Sequence, residues 1–363
     1  FLQKLANYHR THFNCPVLAI TGTNGKTTTK ELVAGALLLK FKTYYTQGNL
    51  NNQIGVPLTL LSVNPNDAQF VVVEMGANHL TDIQELCDIA QPDYALVTSV
   101  GKAHLEGFGS IDAVVKTKTD LYRFVEKNHG ICFLNADSEL LMNNKPNSNF
   151  ILYGTNRNDV YLTCWGMPDS NKVNVSFKWR YGTEAICNVS SSLYGQYNYL
   201  NMLAAACVAC FFGVDCFDVN DFLSKFNTNN NRSQIIEKDN VTIISDAYNA
   251  NPSSVDAALS SLDRIDAADK VVILGDMFEL GADSSKEHES VVNKLKSMNL
   301  KKVFLVGENY YLHKQCVIDD NDFMMFKTTE EVASYLKNNK LNNCIVLLKG
   351  SRAMKLEQLI EVL

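Results

Sequence analysis

No stretch of this 363-residue chain is apolar for long enough to cross a bilayer. The longest such run, residues 203–214, is short and rich in Cys and Ala, so no membrane insertion is expected. No secretory leader pattern is visible, and a cytoplasmic protein is expected. Basic residues are not in excess: 33 Lys and Arg against 39 Asp and Glu leave a net charge of −6, which excludes the basic footprint of a general nucleic-acid binder. The ten cysteines form no spaced framework. Cys207 and Cys210 make a CxxC inside an apolar run, with no second pair nearby, so small buried hydrophobes in a reducing compartment are expected. Tandem repeats and low-complexity tails are also missing, apart from the Asn-rich segment 227–231. The chain opens on Phe1, already inside an amphipathic segment, and an upstream portion is expected to precede it.

What is present is an ordinary globular composition, 46% apolar and 20% charged, in a length that suits two or three domains. The chain is organised around Ile20-Thr21-Gly22-Thr23-Asn24-Gly25-Lys26-Thr27-Thr28-Thr29, set between an apolar strand-like run (16–20) and a helix-like segment (30–39). Strand, glycine-bearing turn, Gly-Lys-Thr and helix is the order that a phosphate-binding loop needs. Backbone amides and the helix start cradle phosphate oxygens, the Lys ammonium reaches the terminal phosphates, and the Thr hydroxyl ligates magnesium. The spacing departs from GxxxxGK[ST], because Ile20 stands where the first glycine belongs.

Strand-like and helix-like segments then alternate. An Asn-rich loop, Gly48-Asn49-Leu50-Asn51-Asn52, reads equally well as a ligand loop or an ordinary turn. The β-branched run 69–74 ends in Glu74, where a magnesium–nucleotide site wants a carboxylate. The next strand-like run (94–100) delivers His104 among glycines, and the helix-like 111–126 carries Lys116 and Lys118. Between 160 and 190 the period shifts towards two, predicting antiparallel strands appended to a parallel sheet. A boundary is expected in the linker 227–231, dividing the chain into 1–228 and 229–363. Beyond it, strands at 241–245, 271–275, 303–306 and 345–348 predict a second, smaller parallel α/β domain. Its strand ends bear Asp246 to Pro252, Leu274 to Gly281 and Lys349-Gly350-Ser351-Arg352. Ligands of open α/β sheets bind at that edge.

The loop Thr21-Gly22-Thr23-Asn24-Gly25-Lys26-Thr27 resembles that of the Mur ligases and the related folylpolyglutamate synthases, which accounts for the absent first glycine. Further stretches resemble the branch that joins D-alanyl-D-alanine to a UDP-N-acetylmuramoyl-tripeptide. They are Gly48 to Asn52, Glu74 to His79, Ala103 to Gly109, Asp246 to Pro252, Leu274 to Met277 and Lys349 to Arg352. The resemblance implies an ATP-dependent ligase with a UDP-binding domain, a central P-loop ATPase domain and a C-terminal Rossmann-like domain, of which this chain supplies the last two. It implies ATP and magnesium as cofactors, an acyl-phosphate intermediate and, as the expectation here, action as a monomer. Thr23, Asn24, Gly25, Lys26, Thr27 and Thr28 are implied to hold the phosphates. Thr27 would ligate one magnesium, and Glu74, His104 and a carbamylated Lys118 (chosen over Lys116) would serve a second. Asn198 and Asn201 resemble positions near the adenine, although Tyr197 stands where a His is frequent. Arg232 and Asp246 resemble residues that reach the nucleotide from the second domain. Asn49, Asn51, Asn52, Tyr248, Asn249 and Asn251 are substrate candidates. A GTPase would need Asn-Lys-x-Asp, and the nearest string, Asn144-Lys145-Pro146-Asn147, ends in Asn. Another ligase of the family and a non-catalytic nucleotide-binding partner remain as alternatives.

Overall fold

A computed structural model of the chain describes residues 1–103, 105–155, 163–169, 173–228, 232–267, 269–317 and 320–363. Two sheets carry the structure. The first has nine strands: β1 (Val17–Thr21), β2 (Thr43–Tyr45), β3 (Phe70–Glu74), β4 (Tyr94–Val97), β5 (Ile131–Asn135), β6 (Phe150–Thr155), β7 (Cys164–Pro168), β8 (Asn174–Tyr181) and β9 (Cys187–Tyr194). Their spatial order is β2-β3-β1-β4-β5-β6-β7-β8-β9. Pairing is parallel from β2 to β7 and antiparallel from β7 to β9.

Every residue of β1 and β3 is buried, as sequences with helices on both faces require. Successive side chains of a strand point to opposite faces. Leu18 and Ile20 therefore enter one apolar layer with Leu32, Leu37 and Met202, while Val17 and Ala19 enter the other with Ile83, Leu86 and Leu121. Each large apolar side chain so buried contributes roughly 1.5–3 kcal/mol. The helix Tyr197–Phe211 is buried almost all round, which explains its uniformly apolar sequence.

The second sheet has six strands: β10 (Gln234–Lys238), β11 (Val241–Ser245), β12 (Lys270–Gly275), β13 (Lys302–Val306), β14 (Phe323–Phe326) and β15 (Cys344–Lys349), in the order β10-β11-β15-β12-β13-β14. All neighbours are parallel except β10 with β11.

Four local features differ from the sequence expectation. The helix after the phosphate loop begins at Lys26, not 30, because Gly25 turns the chain in a left-handed conformation (φ 79°) directly before it. A helix at Gly55–Leu61 was not anticipated; its Gly and Pro read as breakers, yet Pro is tolerated in a first helical turn. The second sheet is mixed rather than parallel, since the hairpin partner β10 hides in a half-exposed, charge-flanked stretch beside the Asn-rich linker. Its other edge strand, β14, was also unanticipated, being only four residues long and partly exposed throughout. Of the linker, residues 229–231 lie outside the described residues.

The topology fixes where ligands meet the fold. In the first sheet, β2 and β3 lie on one side of β1 and β4 to β9 on the other, so the order reverses between β1 and β4. Ile20 lies opposite Glu74, and Thr21 opposite Val97. The phosphate loop, Glu74 and the end of β4 thus share one edge.

Candidate active site

Two glycines make the loop after β1 possible. A Cβ on Gly22 (φ 145°) would meet Thr98 Oγ1 at 2.1 Å, and one on Gly25 would meet Asn201 Oδ1 at 2.6 Å. The loop is strapped to the end of β4 by Thr23 N–H to Ser99 O at 2.7 Å and Thr98 Oγ1–H to Asn24 O at 2.6 Å. Asn24 N–H donates to Ser99 Oγ at 3.1 Å, so that amide, expected on a phosphate, is engaged within the protein. The first intrahelical bond is Thr29 N–H to Gly25 O. The amides of Lys26, Thr27 and Thr28 have no acceptor one turn back, which is the anion-binding character of a helix start.

Lys26 folds back over the loop, its Nζ donating to Gly22 O at 2.8 Å and Thr23 O at 3.1 Å. Burial lowers its pKa; the Glu74 carboxylate opposes that shift and Arg232 adds to it. Glu74 is fully buried and accepts from Thr27 Oγ1 (3.1 Å) and Asn51 Nδ2 (2.7 Å) through Oε1. Its Oε2 is buried with no hydrogen-bond partner. An orphaned carboxylate oxygen beside a threonine hydroxyl is an oxygen donor set that suits magnesium. Among the described residues no three His, Cys, Asp or Glu side chains converge as a metal cluster; magnesium at a nucleotide site draws most of its ligands from water and phosphate. His104 lies outside the described residues.

Lys118 is buried on the helix Ile111–Lys127, with Nζ 3.3 Å from Ala77 O, three residues beyond Glu74. Burial holds its pKa well below the usual lysine range, and the Lys26 charge pushes it further down against the pull of Asp82. Lys116 is exposed.

From the second sheet, Asp246 follows β11 and pairs with the buried Lys349 at 2.7 Å. Asp246 also accepts from Ser233 N–H (2.9 Å) and Tyr197 O–H (3.3 Å). Arg232 lays its guanidinium on the Tyr248 ring, 3.7 Å from the centroid, and its Nε is buried without a partner. Asn251 caps the helix Pro252–Asp263 in a reciprocal capping box. Its Nδ2 reaches across to Asn24 Oδ1 at 2.8 Å, while Asn24 Nδ2 donates to Ser253 Oγ at 2.9 Å. Lys102 pairs with Glu287 at 2.7 Å. The two sheets therefore meet at the phosphate loop itself.

Residues 20–209 match the Mur ligase middle domain and residues 231–352 the Mur ligase, glutamate ligase domain. The chain belongs to the Mur ligase family. It is 34% identical to the UDP-N-acetylmuramoyl-tripeptide–D-alanyl-D-alanine ligase of Buchnera aphidicola subsp. Baizongia pistaciae, over all of this chain and 78% of that protein. The Escherichia coli ligase of the same name is 31% identical over 99% of this chain and 79% of its own length. Two solved structures are similar at 28% identity and 99% coverage of this chain. MurF from Acinetobacter baumannii gives a TM-score of 0.87 over 79% of that chain, and MurF from Thermotoga maritima in complex with ADP gives 0.85 over 82%.

Against this Mur ligase frame the remaining candidates fall in different places. Asn51 sits on Glu74, whereas Asn52 Oδ1 accepts from the amides of Ile54 and Gly55 at the start of the helix Gly55–Leu61. Asn49 and Asn249 are exposed, and Asn249 Oδ1 accepts from Ala250 N–H. Asn198 and Asn201 are buried and bonded to each other at 2.9 Å, with Asn201 packed on Gly25. Tyr197, the departure from the commoner histidine, bonds Ser233 Oγ (2.9 Å) and Asp246, joining the middle domain to the glutamate ligase domain. Asp276 of Leu-Gly-Asp-Met, at the end of β12 on the same sheet edge, is buried and accepts from the amides of Asn309 and Tyr310. Sequence reasoning missed Thr98, Ser99 and Ser253, whereas Lys349 belongs to a strand-end motif that it singled out. The three are small polar residues at strand or helix ends, and their positions alone were the available signal.

Proposed function

We propose that the chain performs the ATP-dependent ligation of D-alanyl-D-alanine to UDP-N-acetylmuramoyl-tripeptide in peptidoglycan precursor synthesis, as a cytoplasmic monomer divided between residues 228 and 229. The observation that carries the reading is the meeting of Lys26, Thr27, Glu74 and Asn24 on one sheet edge with Asn251, Asp246 and Arg232 from the other. Whole-chain similarity to ligases of that name supports it.

The acceptor carboxylate is a poor acyl donor because it would have to expel oxide. Attack of a carboxylate oxygen on the γ-phosphorus of ATP forms an O–P bond, breaks the bond to the β-phosphate oxygen, and yields an acyl phosphate and ADP. The amine of D-alanyl-D-alanine then attacks the acyl carbon. The tetrahedral intermediate collapses with loss of inorganic phosphate, and the amine proton leaves to solvent or phosphate. Such chemistry asks a protein for positioning and charge neutralisation. Lys26 and the amides of Gly25 to Thr28, with Thr23 and Asn24 shaping the loop, hold the β- and γ-phosphates. Asn198 and Asn201 back the loop beside the adenine, and Arg232 and Asp246 close over the nucleotide. Asn49, Asn51, Tyr248 and Asn249 are assigned to the two substrates, with Asn52 and Asn251 shaping the backbone beside them by accepting from amides at helix starts. Thr27, Glu74, His104 and Lys118 would hold magnesium, which supplies neutralisation of the phosphate charge.

Burial, which lowers the Lys118 pKa, favours the neutral amine, and a neutral amine is a nucleophile towards carbon dioxide. Lys118 Nζ would form an N–C bond and release a proton, giving a carbamate whose negative charge suits a cation site that an ammonium would oppose. Phosphate release by the full-length protein, with UDP-N-acetylmuramoyl-tripeptide present and D-alanyl-D-alanine added or withheld, tests the function. Release is expected only with all three substrates. Turnover that ignores the dipeptide contradicts it.

A further inference from the structure

The polar side chains at the strand ends of the second sheet are nearly all engaged. Lys349 is spent on Asp246 and Asn249 O. Ser351 Oγ accepts from Phe278 N–H at 3.0 Å. Asn251 is divided between its own helix cap and Asn24. Arg352 is different. It is exposed, and its guanidinium lies over the Tyr248 ring, 4.7 Å from the centroid; no carboxylate pairs with it among the described residues. The same ring carries Arg232 at 3.7 Å, whose buried Nε has no partner.

Two guanidiniums gathered on one aromatic ring repel each other, and among the described residues no carboxylate forms an ion pair with either of them. A ring face holds a guanidinium by cation–π attraction while leaving its in-plane N–H fork free. That fork matches a carboxylate or phosphate oxygen pair. The two arginines differ in what they face. Arg232 bears electrostatically on Lys26 of the phosphate loop, whereas Arg352 stands on the solvent side, reached by a substrate arriving from outside.

We propose that Arg352, stacked on Tyr248, is the residue that binds the carboxylate of the incoming amine substrate. This rests on the ligase reading above. It adds a specificity element: the substrate must present a free carboxylate at the end opposite its nucleophilic amine. Tyr248 is then a positioning residue that holds the fork in place, and Arg232 remains with the nucleotide.

The test uses the full-length enzyme with D-alanyl-D-alanine and its C-terminal amide as competing acceptors, in wild type, Arg352→Ala and Arg352→Lys. A charge-assisted bidentate contact corresponds to about 10- to 100-fold in affinity. Wild type is expected to show a KM for the amide raised by about that factor. Arg352→Ala should raise the KM for the free acid to nearly that of the amide, erasing the preference, with the KM for ATP unchanged. Arg352→Lys should restore part of the preference, because it keeps the charge and loses the fork. An Arg352→Ala enzyme that still prefers the acid as strongly as wild type overturns the proposal. So does one whose KM for ATP rises while that for the dipeptide does not, since the anion would then be a phosphate. A wild-type enzyme that ligates neither acceptor overturns the ligase reading itself.

Discussion

Replacing Lys349 by Met isolates one buried charge without removing its volume. The ammonium lies 2.7 Å from Asp246, with side-chain exposures of 3% and 12%. Removing one member of a buried pair costs about 3–5 kcal/mol, because the other charge stays buried without compensation. Asp246 keeps donors from Ser233 N–H (2.9 Å), Ser233 Oγ (3.4 Å) and Tyr197 O–H (3.3 Å), which places the expected loss towards the lower end, about 3 kcal/mol. For a domain of this size that lowers the melting temperature by roughly 10 °C. Asp246→Asn in the same protein removes the stranded charge while its amide oxygen still accepts from Ser233. The double variant should therefore regain about 2 kcal/mol over Lys349→Met alone, a coupling that a double-mutant cycle reads directly. Thermal and urea unfolding of wild type, the two single variants and the double variant are the assay. A Lys349→Met protein melting within about 2 °C of wild type, or a double variant less stable than Lys349→Met, would refute the reasoning.

Three further outcomes follow from the geometry. Carbon-13 NMR of the full-length protein under labelled carbon dioxide should show a carbamate signal that Lys118→Ala lacks; a signal retained in that variant places the modification elsewhere. Asn251→Ala should lose about 1 kcal/mol from the missing helix cap and, by cutting the bond to Asn24, raise the KM for ATP; Asn251→Ser, which keeps a cap but cannot span to Asn24, should recover the stability and not the KM. His288 is fully buried, accepting from Met277 N–H at Nε2 and donating from Nδ1 to Ser284 O, with Asp276 and the Tyr310 ring beside it. Burial lowers its pKa, so the unfolded chain binds the proton more readily. Stability should fall as pH drops through about 6.5 and level off below the folded value, a slope that should flatten in His288→Gln when followed by urea midpoints across that range.

Much of the fold could be read from the chain because local and global signals agree in it. The runs at β1 and β3 are apolar throughout, which is what burial on both faces leaves in a sequence. The period of two read between 160 and 190 rests on Val175, Phe177 and Trp179, which are buried at alternate positions of β8. The edges were not legible: β10 and β14 bury too little to leave a pattern, and the helix Gly55–Leu61 is written in residues that read as breakers. For the site, Lys26, Thr27 and Glu74 stood at positions that the strand–loop–helix order singles out, and Thr27 is bonded to Glu74 while Lys26 folds over the loop beside them. What brings the second sheet's residues onto the loop is tertiary. Asn24 to Asn251 spans 227 positions, and Arg232 and Arg352 meet only through Tyr248. No local spacing encodes such pairs.

The most direct measurement follows the oxygen atoms of the acceptor carboxylate. With UDP-N-acetylmuramoyl-tripeptide labelled with oxygen-18 in both oxygens of the reacting carboxyl group, activation through an acyl phosphate leaves the bridging oxygen on phosphorus when the amine attacks. The account predicts that inorganic phosphate released by the full-length protein carries one labelled oxygen per amide bond formed, and that Lys26→Ala abolishes both product and label transfer. Phosphate released without label while the amide bond still forms would contradict it.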